Sequence, residues 1–368
     1  MMNQKPIFSG GEHEIICNQL KHKGVKSIVL IGSRAKGGAR KNSDYDIYVV
    51  VSAFVLPFIY KNIKKKEKIL ENELQTKVSI APLTLNRIRR GNDLLLFKTK
   101  KEGITICGKD YLPSIKINRV EDIPADELFS YLFSSAYFLA EHLNPEKMPK
   151  TEDKEFIYNT AKSIMYCAET QLLMQGIYET EQDTMIRRVT EELDLEDSIL
   201  ANISLSHAVL NGNFLHVDDP NKFWFSAREY LILVFQQLAE KYLDVKNESL
   251  FNMIECFKNG KCSFIKNLQY SILVGINKKR FPISHLLTKK SVERYLCSAL
   301  LYLILSVDSD LTIDEGDLNN SYQTLHSIGL SSNALEDTNK KRRWNAVKNQ
   351  IQERWLMACG KNVIGGIL

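Results

Sequence analysis

Two short apolar runs lie close together early in the chain, GVKSIVLIG at residues 24–32 and DIYVVV at 46–51. Both have the length and β-branched content of buried strands. TKVSIAPL at 76–83 reads as a third strand, ended by Pro82. Between the second and third runs, FIYKNIKKKEKILENE at 58–73 sets apolar residues at helical spacing against a lysine-rich face, with KKKEK at 64–68 on its exposed side. The predicted order is strand, turn with a short helix, strand, helix, strand.

After KEGITICGKDYLP (101–113) strands become scarce and helical spacing takes over, which places a boundary near 115–123. DELFSYLFSSAYFLAEHL (126–143) follows Pro124, carries acidic residues in its first turn and stops before Pro145. KEFIYNTAKSIMYCAETQLLMQG (154–176) is the next helix, closed by Gly176. YLCSALLYLILS (295–306) reads as a buried helix, too short to cross a bilayer. A polar break covers 308–322, and a basic helix follows 338. The pattern predicts an α+β chain with a sheet-bearing region 1–118, a helical region 119–240 and a second helical region 241–368, without internal repeats.

Composition narrows the function classes. The 368 residues are 44% hydrophobic, and 49 Lys+Arg against 44 Asp+Glu leave +5. So mild an excess does not by itself mark a nucleic-acid binder and suits an anionic small substrate equally well. The seven cysteines never form a C-x-x-C pair, which suggests neither a disulfide framework nor a zinc site. With MMNQKPIFSGGEHEII carrying no apolar leader, a cytoplasmic protein without a membrane partner is expected. Homo-oligomerisation is left open.

Candidate chemistry sits in IGSRAKGGARKNSDYDIYVVV, residues 31–51. A strand that ends in Gly-Ser and feeds a short helix leaves backbone N–H groups pointing outward, where they favour a phosphate. Gly32 lets a phosphate approach the backbone, Ser33 adds a hydroxyl donor, and Arg34, Lys36 and Arg40 add positive potential. The stretch is not a P-loop, because G-x-x-x-x-G-K-[ST] is absent. Asp44 and Asp46, two residues apart on a strand, project from one face. Two such carboxylates repel unless a cation lies between them, and Mg²⁺ takes a few carboxylates together with phosphate oxygens and water. A nucleoside triphosphate on the Gly-Ser turn, bridged by Mg²⁺ to Asp44 and Asp46, is a self-consistent geometry for phosphoryl or nucleotidyl transfer.

Gly-Ser, ten residues, then Asp-x-Asp, with Gly32, Ser33, Asp44 and Asp46 in register, resembles the signature of the DNA polymerase β-like nucleotidyltransferase superfamily. The intervening RAKGGARKNS is similar to its minimal and aminoglycoside-type members. The resemblance covers residues 11–115 and extends loosely into the helices after 124. It implies a small mixed sheet with flanking helices, two Mg²⁺ ions and ATP or another nucleoside triphosphate as donor. The implied reaction moves a nucleoside monophosphate, AMP from ATP, to a hydroxyl of a small molecule or protein with release of pyrophosphate.

The pattern departs from that superfamily at one place. A third carboxylate normally faces the Asp-x-Asp from the neighbouring strand, where this chain has Lys77 and Ser79. Two outcomes stand open: a base supplied from elsewhere, or a protein that binds nucleotide without turnover. On the helix at 154–176, Glu155, Asn159, Lys162, Tyr166 and Glu169 form one polar stripe. It is either the solvent face or a face in which Lys162 holds the triphosphate and Glu155 or Glu169 acts as base. RFPISH (280–285) has the R-x4-H spacing of a HEPN-type ribonuclease helix, against which Pro282 argues, and KKRRW (340–344) reads as a solvated basic helix start or a nucleic-acid contact. The expectation is a Mg²⁺-dependent nucleotidyltransferase. The alternatives are a catalytically impaired nucleotide-binding regulator and an RNA 3′-end or oligonucleotide nucleotidyltransferase.

Overall fold

The computed structural model describes residues 11–36, 43–52, 54–214, 216–260, 290–330 and 337–358. Arg40, RFPISH (280–285), Cys262 and Cys359 lie outside the described residues. The chain divides into two compact units. The first takes in the described residues up to Glu127 together with Glu179–Thr184, and the second comprises Leu128–Tyr178 and Met185–Gly360.

The first unit is built from α1 (Glu12–Leu20), β1 (Val25–Ile31), the single turn α2 (Gly32–Ala35), β2 (Tyr45–Val51), α3 (Leu56–Leu74), β3 (Val78–Thr84), α4 (Leu85–Arg90), α5 (Leu94–Glu102) and β4 (Ile104–Gly108). The strands lie in the order β3-β2-β1-β4. β1 runs antiparallel to β2 and β4, whereas β2 and β3 are parallel, with α3 as the crossover. A small mixed sheet with flanking helices is thus present, and the rest of the chain is mostly helical, an α+β architecture.

Strand alternation divides the sheet chemically. On one face Ile28, Leu30, Tyr45, Ile47, Val49, Val51, Val78 and Ile80 join Ile16 and Leu20 of α1 and Ile63 and Leu70 of α3 in one apolar cluster. Each aliphatic side chain fully buried there contributes about 1.5–3 kcal/mol relative to exposure, which fixes α1 and α3 to this face. Asp46 and Tyr48 alternate onto the other face.

β3 does not stop at Pro82 as the sequence suggested but continues to Thr84. It is the edge strand, so a residue without an N–H is tolerated where the N–H would point outward. The outward positions are Val78, Ile80 and Pro82. Glu71 accepts the Val78 N–H (3.3 Å), Glu67 accepts the Ile80 N–H (2.8 Å), and Pro82 has none to satisfy. Acids one helical turn apart on α3 thereby close an edge that would otherwise be open for pairing.

Among the described residues the later helices are α6 (Ala125–Glu141), α7 (Lys154–Met174), α8 (Gln182–Glu192), α9 (Asp197–Leu210), α10 (Pro220–Tyr242), α11 (Leu250–Lys258), α12 (Val292–Leu305), α13 (Glu315–His326) and α14 (Lys340–Ala358). Gly176, at φ +80°, ends α7: its N–H reaches Leu173 C=O (3.1 Å) and the Ile177 N–H reaches Leu172 C=O (2.9 Å). α12 is buried from Tyr295 to Ile304, and among the described residues no helix is long and apolar enough to cross a membrane. The expected polar break at 308–322 instead contains the start of α13, capped by Asp314, which accepts the Asp317 N–H (2.8 Å). KKRRW is only partly solvated: Lys340 and Arg343 both pair with Glu315 (3.2 Å each), and Trp344 is fully buried, its indole N–H donating to Leu303 C=O (2.8 Å).

Glu67→Ala is expected to leave the Ile80 N–H without its carboxylate and to destabilise the first unit by about 1–3 kcal/mol. Native-state hydrogen exchange at the Ile80 amide is the measurement. Unchanged protection would mean that the carboxylate does not close the edge.

Candidate functional site

The register of β1 and β2 builds the site. Ile31 pairs with Asp46 across the antiparallel ladder, so the residue after Ile31 passes beside the Asp46 side chain. That residue is Gly32, at φ +73°, and a Cβ on it would lie 2.7 Å from Asp46 Oδ2. Both its backbone conformation and its closeness to the carboxylate demand glycine. Ser33 follows, exposed, its hydroxyl without a partner among the described residues. α2 has four residues, so any anion contact here would come from the local N–H groups rather than from a helix dipole.

The basic residues of the turn are held in place by partners within the fold. Arg34 is buried, donates from Nε to Ser43 C=O (2.8 Å) and stacks on Tyr45 with its guanidinium carbon 3.7 Å from the ring centre. Lys36 pairs with the nearly buried Glu102 at the end of α5 (2.7 Å). Arg34 thus joins the two ends of the loop between α2 and β2, while Lys36 ties the turn to α5. Sequence spacing alone showed their charge but not these partners.

Asp44 lies one residue before β2, and Asp46 is the second residue of the strand. The Tyr45 N–H donates to Lys77 C=O (2.9 Å), which carries the parallel pairing one step beyond the Tyr45–Val78 register pair. Lys77 therefore sits across from Asp44, with Nζ 3.9 Å from Asp44 Oδ2, and Ser79 is the register partner of Asp46. Ser79 is thus the register neighbour of Asp46, and Lys77 lies beside Asp44 through the extended pairing and the 3.9 Å ion pair. Among the described residues no group of three or more His, Cys, Asp or Glu side chains is placed to hold a metal ion. Two carboxylates at an accessible strand end still fit one Mg²⁺, which draws its other ligands from water and phosphate.

Beneath Asp46 lies a network that sequence reasoning missed. Arg87 of α4 pairs with Asp93 (3.1 Å), both largely buried. Asp93 also caps α5 by accepting the Leu96 N–H (2.9 Å). Tyr48, two residues beyond Asp46, lies within the field of both charges, and burial raises its phenol pKa well above the ordinary value. Burial works against the Arg87 charge, but the Asp93 carboxylate and its hydrogen bond hold the guanidinium above its usual pKa. The available signal was N-D-L-L-L at 92–96, an N-cap before an apolar run.

Glu155 and Lys162 belong to the second unit. The polar stripe of α7 proves to be a seam against α6 rather than a plain solvent face. Asn159 donates to Glu141 (3.3 Å), Lys162 lies 5.0 Å from the Phe138 ring centre, Tyr166 stacks on Tyr131 (4.5 Å), and Glu169 accepts from the Tyr131 hydroxyl. Glu155 is largely exposed, 3.6 Å from Nδ1 of His142.

Residues 14–112 match the family model described as "Polymerase beta, Nucleotidyltransferase". Among solved structures the chain is similar to spectinomycin adenyltransferase AAD(9) from Enterococcus faecialis, crystallised with ATP and spectinomycin. The identity is 14% and the TM-score 0.43, over 61% of this chain and 98% of that one. No curated protein matches the chain.

Gly32→Ala is expected to lower the stability of the first unit by about 1–3 kcal/mol, through the left-handed backbone and the clash with Asp46. Ser33→Ala, at an exposed neighbour, serves as the neutral control. Thermal melting of both variants checks this, and equal melting temperatures would mean that Asp46 does not occupy the space above Gly32.

Proposed function

We propose that the first unit is a Mg²⁺-dependent nucleotidyltransferase site. It moves a nucleoside monophosphate, AMP from ATP, to a hydroxyl of a small molecule or protein. The observation that carries this reading is the seating of Asp46 against Gly32 at the mouth of an exposed Gly-Ser turn, within the segment that matches the nucleotidyltransferase family model.

Asp44 and Asp46 would hold Mg²⁺, which when bound neutralises phosphate charge and polarises the phosphoryl oxygens. The exposed Ser33 hydroxyl and the N–H groups that follow Gly32 bind and orient the triphosphate, and most of the catalytic effect in such a transfer comes from positioning and electrostatics. The acceptor oxygen forms a bond to the α-phosphorus as the bond from that phosphorus to the bridging oxygen breaks. Pyrophosphate leaves and the hydroxyl proton is released. Gly32 is the reason the backbone can approach both the carboxylate and the phosphates.

A second reading, nucleotide binding without turnover, is favoured by a specific observation: the neighbouring strand presents an ammonium to Asp44 and a hydroxyl to Asp46 where further carboxylates would strengthen a metal site. The two readings separate on pyrophosphate release when the protein is incubated with labelled nucleotides, Mg²⁺ and a panel of acceptors that includes the protein itself.

Asp44→Ala and Asp46→Ala are each expected to abolish metal-dependent pyrophosphate release with the fold intact, because each removes a metal ligand and relieves carboxylate repulsion. An unchanged rate in either variant refutes the site. Ser33→Ala is expected to weaken ATP binding by about 3- to 10-fold, the size of one hydrogen bond, and to leave adenosine binding unchanged. Calorimetry with both ligands decides this, and equal losses would remove Ser33 from the phosphates.

A further inference from the structure

Lys77 is fixed by backbone pairing, not merely by its ion pair. The Tyr45 N–H to Lys77 C=O bond and the Tyr45–Val78 register hold its Cα across from Asp44 whatever the side chain does. The ammonium reaches 3.9 Å from Asp44 Oδ2, and both side chains are open to solvent, at 73% and 49% exposure. A surface pair of this kind is weak as a contribution to folding. Its position beside a metal ligand is what matters. Lys36 is taken up by Glu102, and Arg34 by Ser43 and Tyr45, whereas Lys77 reaches an aspartate of the site.

Charge at this strand end then becomes countable. Asp44 and Asp46 bring two negative charges, Lys77 returns one positive, and Ser79 opposite Asp46 brings none. One divalent cation shared with triphosphate oxygens suits that set. A second would sit within a few ångströms of an ammonium, with no further cluster of acidic or imidazole ligands among the described residues to offset the repulsion. A lysine ammonium is a compact charge with three donors, able to bridge a carboxylate and a phosphate oxygen.

We propose that the Lys77 ammonium stands in for one metal ion beside Asp44, so that the nucleotide site of this chain holds a single divalent cation. The inference rests on the reading of this strand end as a nucleotide and metal site. It assigns Lys77 the work of a positive charge beside Asp44, held there by the backbone pairing just before β3.

The test is a Mn²⁺ titration of the full chain with a saturating non-hydrolysable ATP analogue, ions per chain being counted by electron paramagnetic resonance. The wild type is expected to bind one ion. Lys77→Glu, at an exposed position with folding verified by circular dichroism, is expected to bind two. A wild-type count of two overturns the proposal, as does a Lys77→Glu count that stays at one. Asp46→Asn separates this inference from the reading beneath it. If ion and analogue bind there undiminished, the site itself is misassigned. A wild-type count of two that falls in Asp46→Asn keeps the site and removes only the role given to Lys77.

Discussion

The Asp46 carboxylate occupies the volume that a side chain at position 32 would need, and the geometry of the Gly-Ser turn is built around that contact. For the two to meet, β1 must run antiparallel to β2 with Ile31 opposite Asp46, and the chain must leave β1 through a left-handed residue. Those conditions leave Ser33 exposed and place the backbone of the turn beside the Asp46 carboxylate. The approach is made in the protein alone, so on the proposed reading a nucleotide would not have to spend free energy on bringing turn and acid together.

Such a turn holds its shape because both of its ends are tied down. Arg34 reaches across the loop to Ser43 and stacks on Tyr45, and Lys36 pairs with Glu102. Glu102 is the last residue of α5, whose first turn is capped by Asp93, and Asp93 is the partner of Arg87. A chain of polar contacts thus runs from the buried pair, along one helix, to the turn. A buried ion pair is poor evidence of net stability, since desolvation offsets much of the attraction, but removing one partner strands the other. Orientation of α5, and through it of Lys36, is the more direct consequence here.

Elements whose pattern was carried by burial were legible in the sequence. β1 and β2 are buried along most of their length, so they read as mostly apolar runs, and the spacing of Gly32, Ser33, Asp44 and Asp46 marked the candidate site before any fold. α4, α5 and β4 were not read, because each is short and takes its stability from tertiary contacts such as Arg87 with Asp93 rather than from its own period. The start of α13 was hidden by acids that read as a loop although Asp314 is a cap. Arg34 and Lys36 looked available for phosphate because sequence shows charge and not partners. The stripe on α7 was visible as a stripe. That its residues meet aromatic groups of α6 depended on which helix packs there, which periodicity cannot specify.

Acidic residues near β3 show why proximity in sequence is a poor guide to what a carboxylate does. Glu67 and Glu71 belong to the helix that leads into the strand, yet both carboxylates accept backbone N–H groups on its outer edge. A carboxylate that gave up such a bond to bind metal would leave a strand N–H unsatisfied, at about 1–3 kcal/mol if the group stayed buried. They are thereby committed to the edge, with Pro82 completing the same row. The side of β3 that faces β2 near the aspartates is left with Lys77 and Ser79. In this strand-helix pair the carboxylates of α3 have gone to closing the edge rather than to the end of the sheet that carries Asp44 and Asp46.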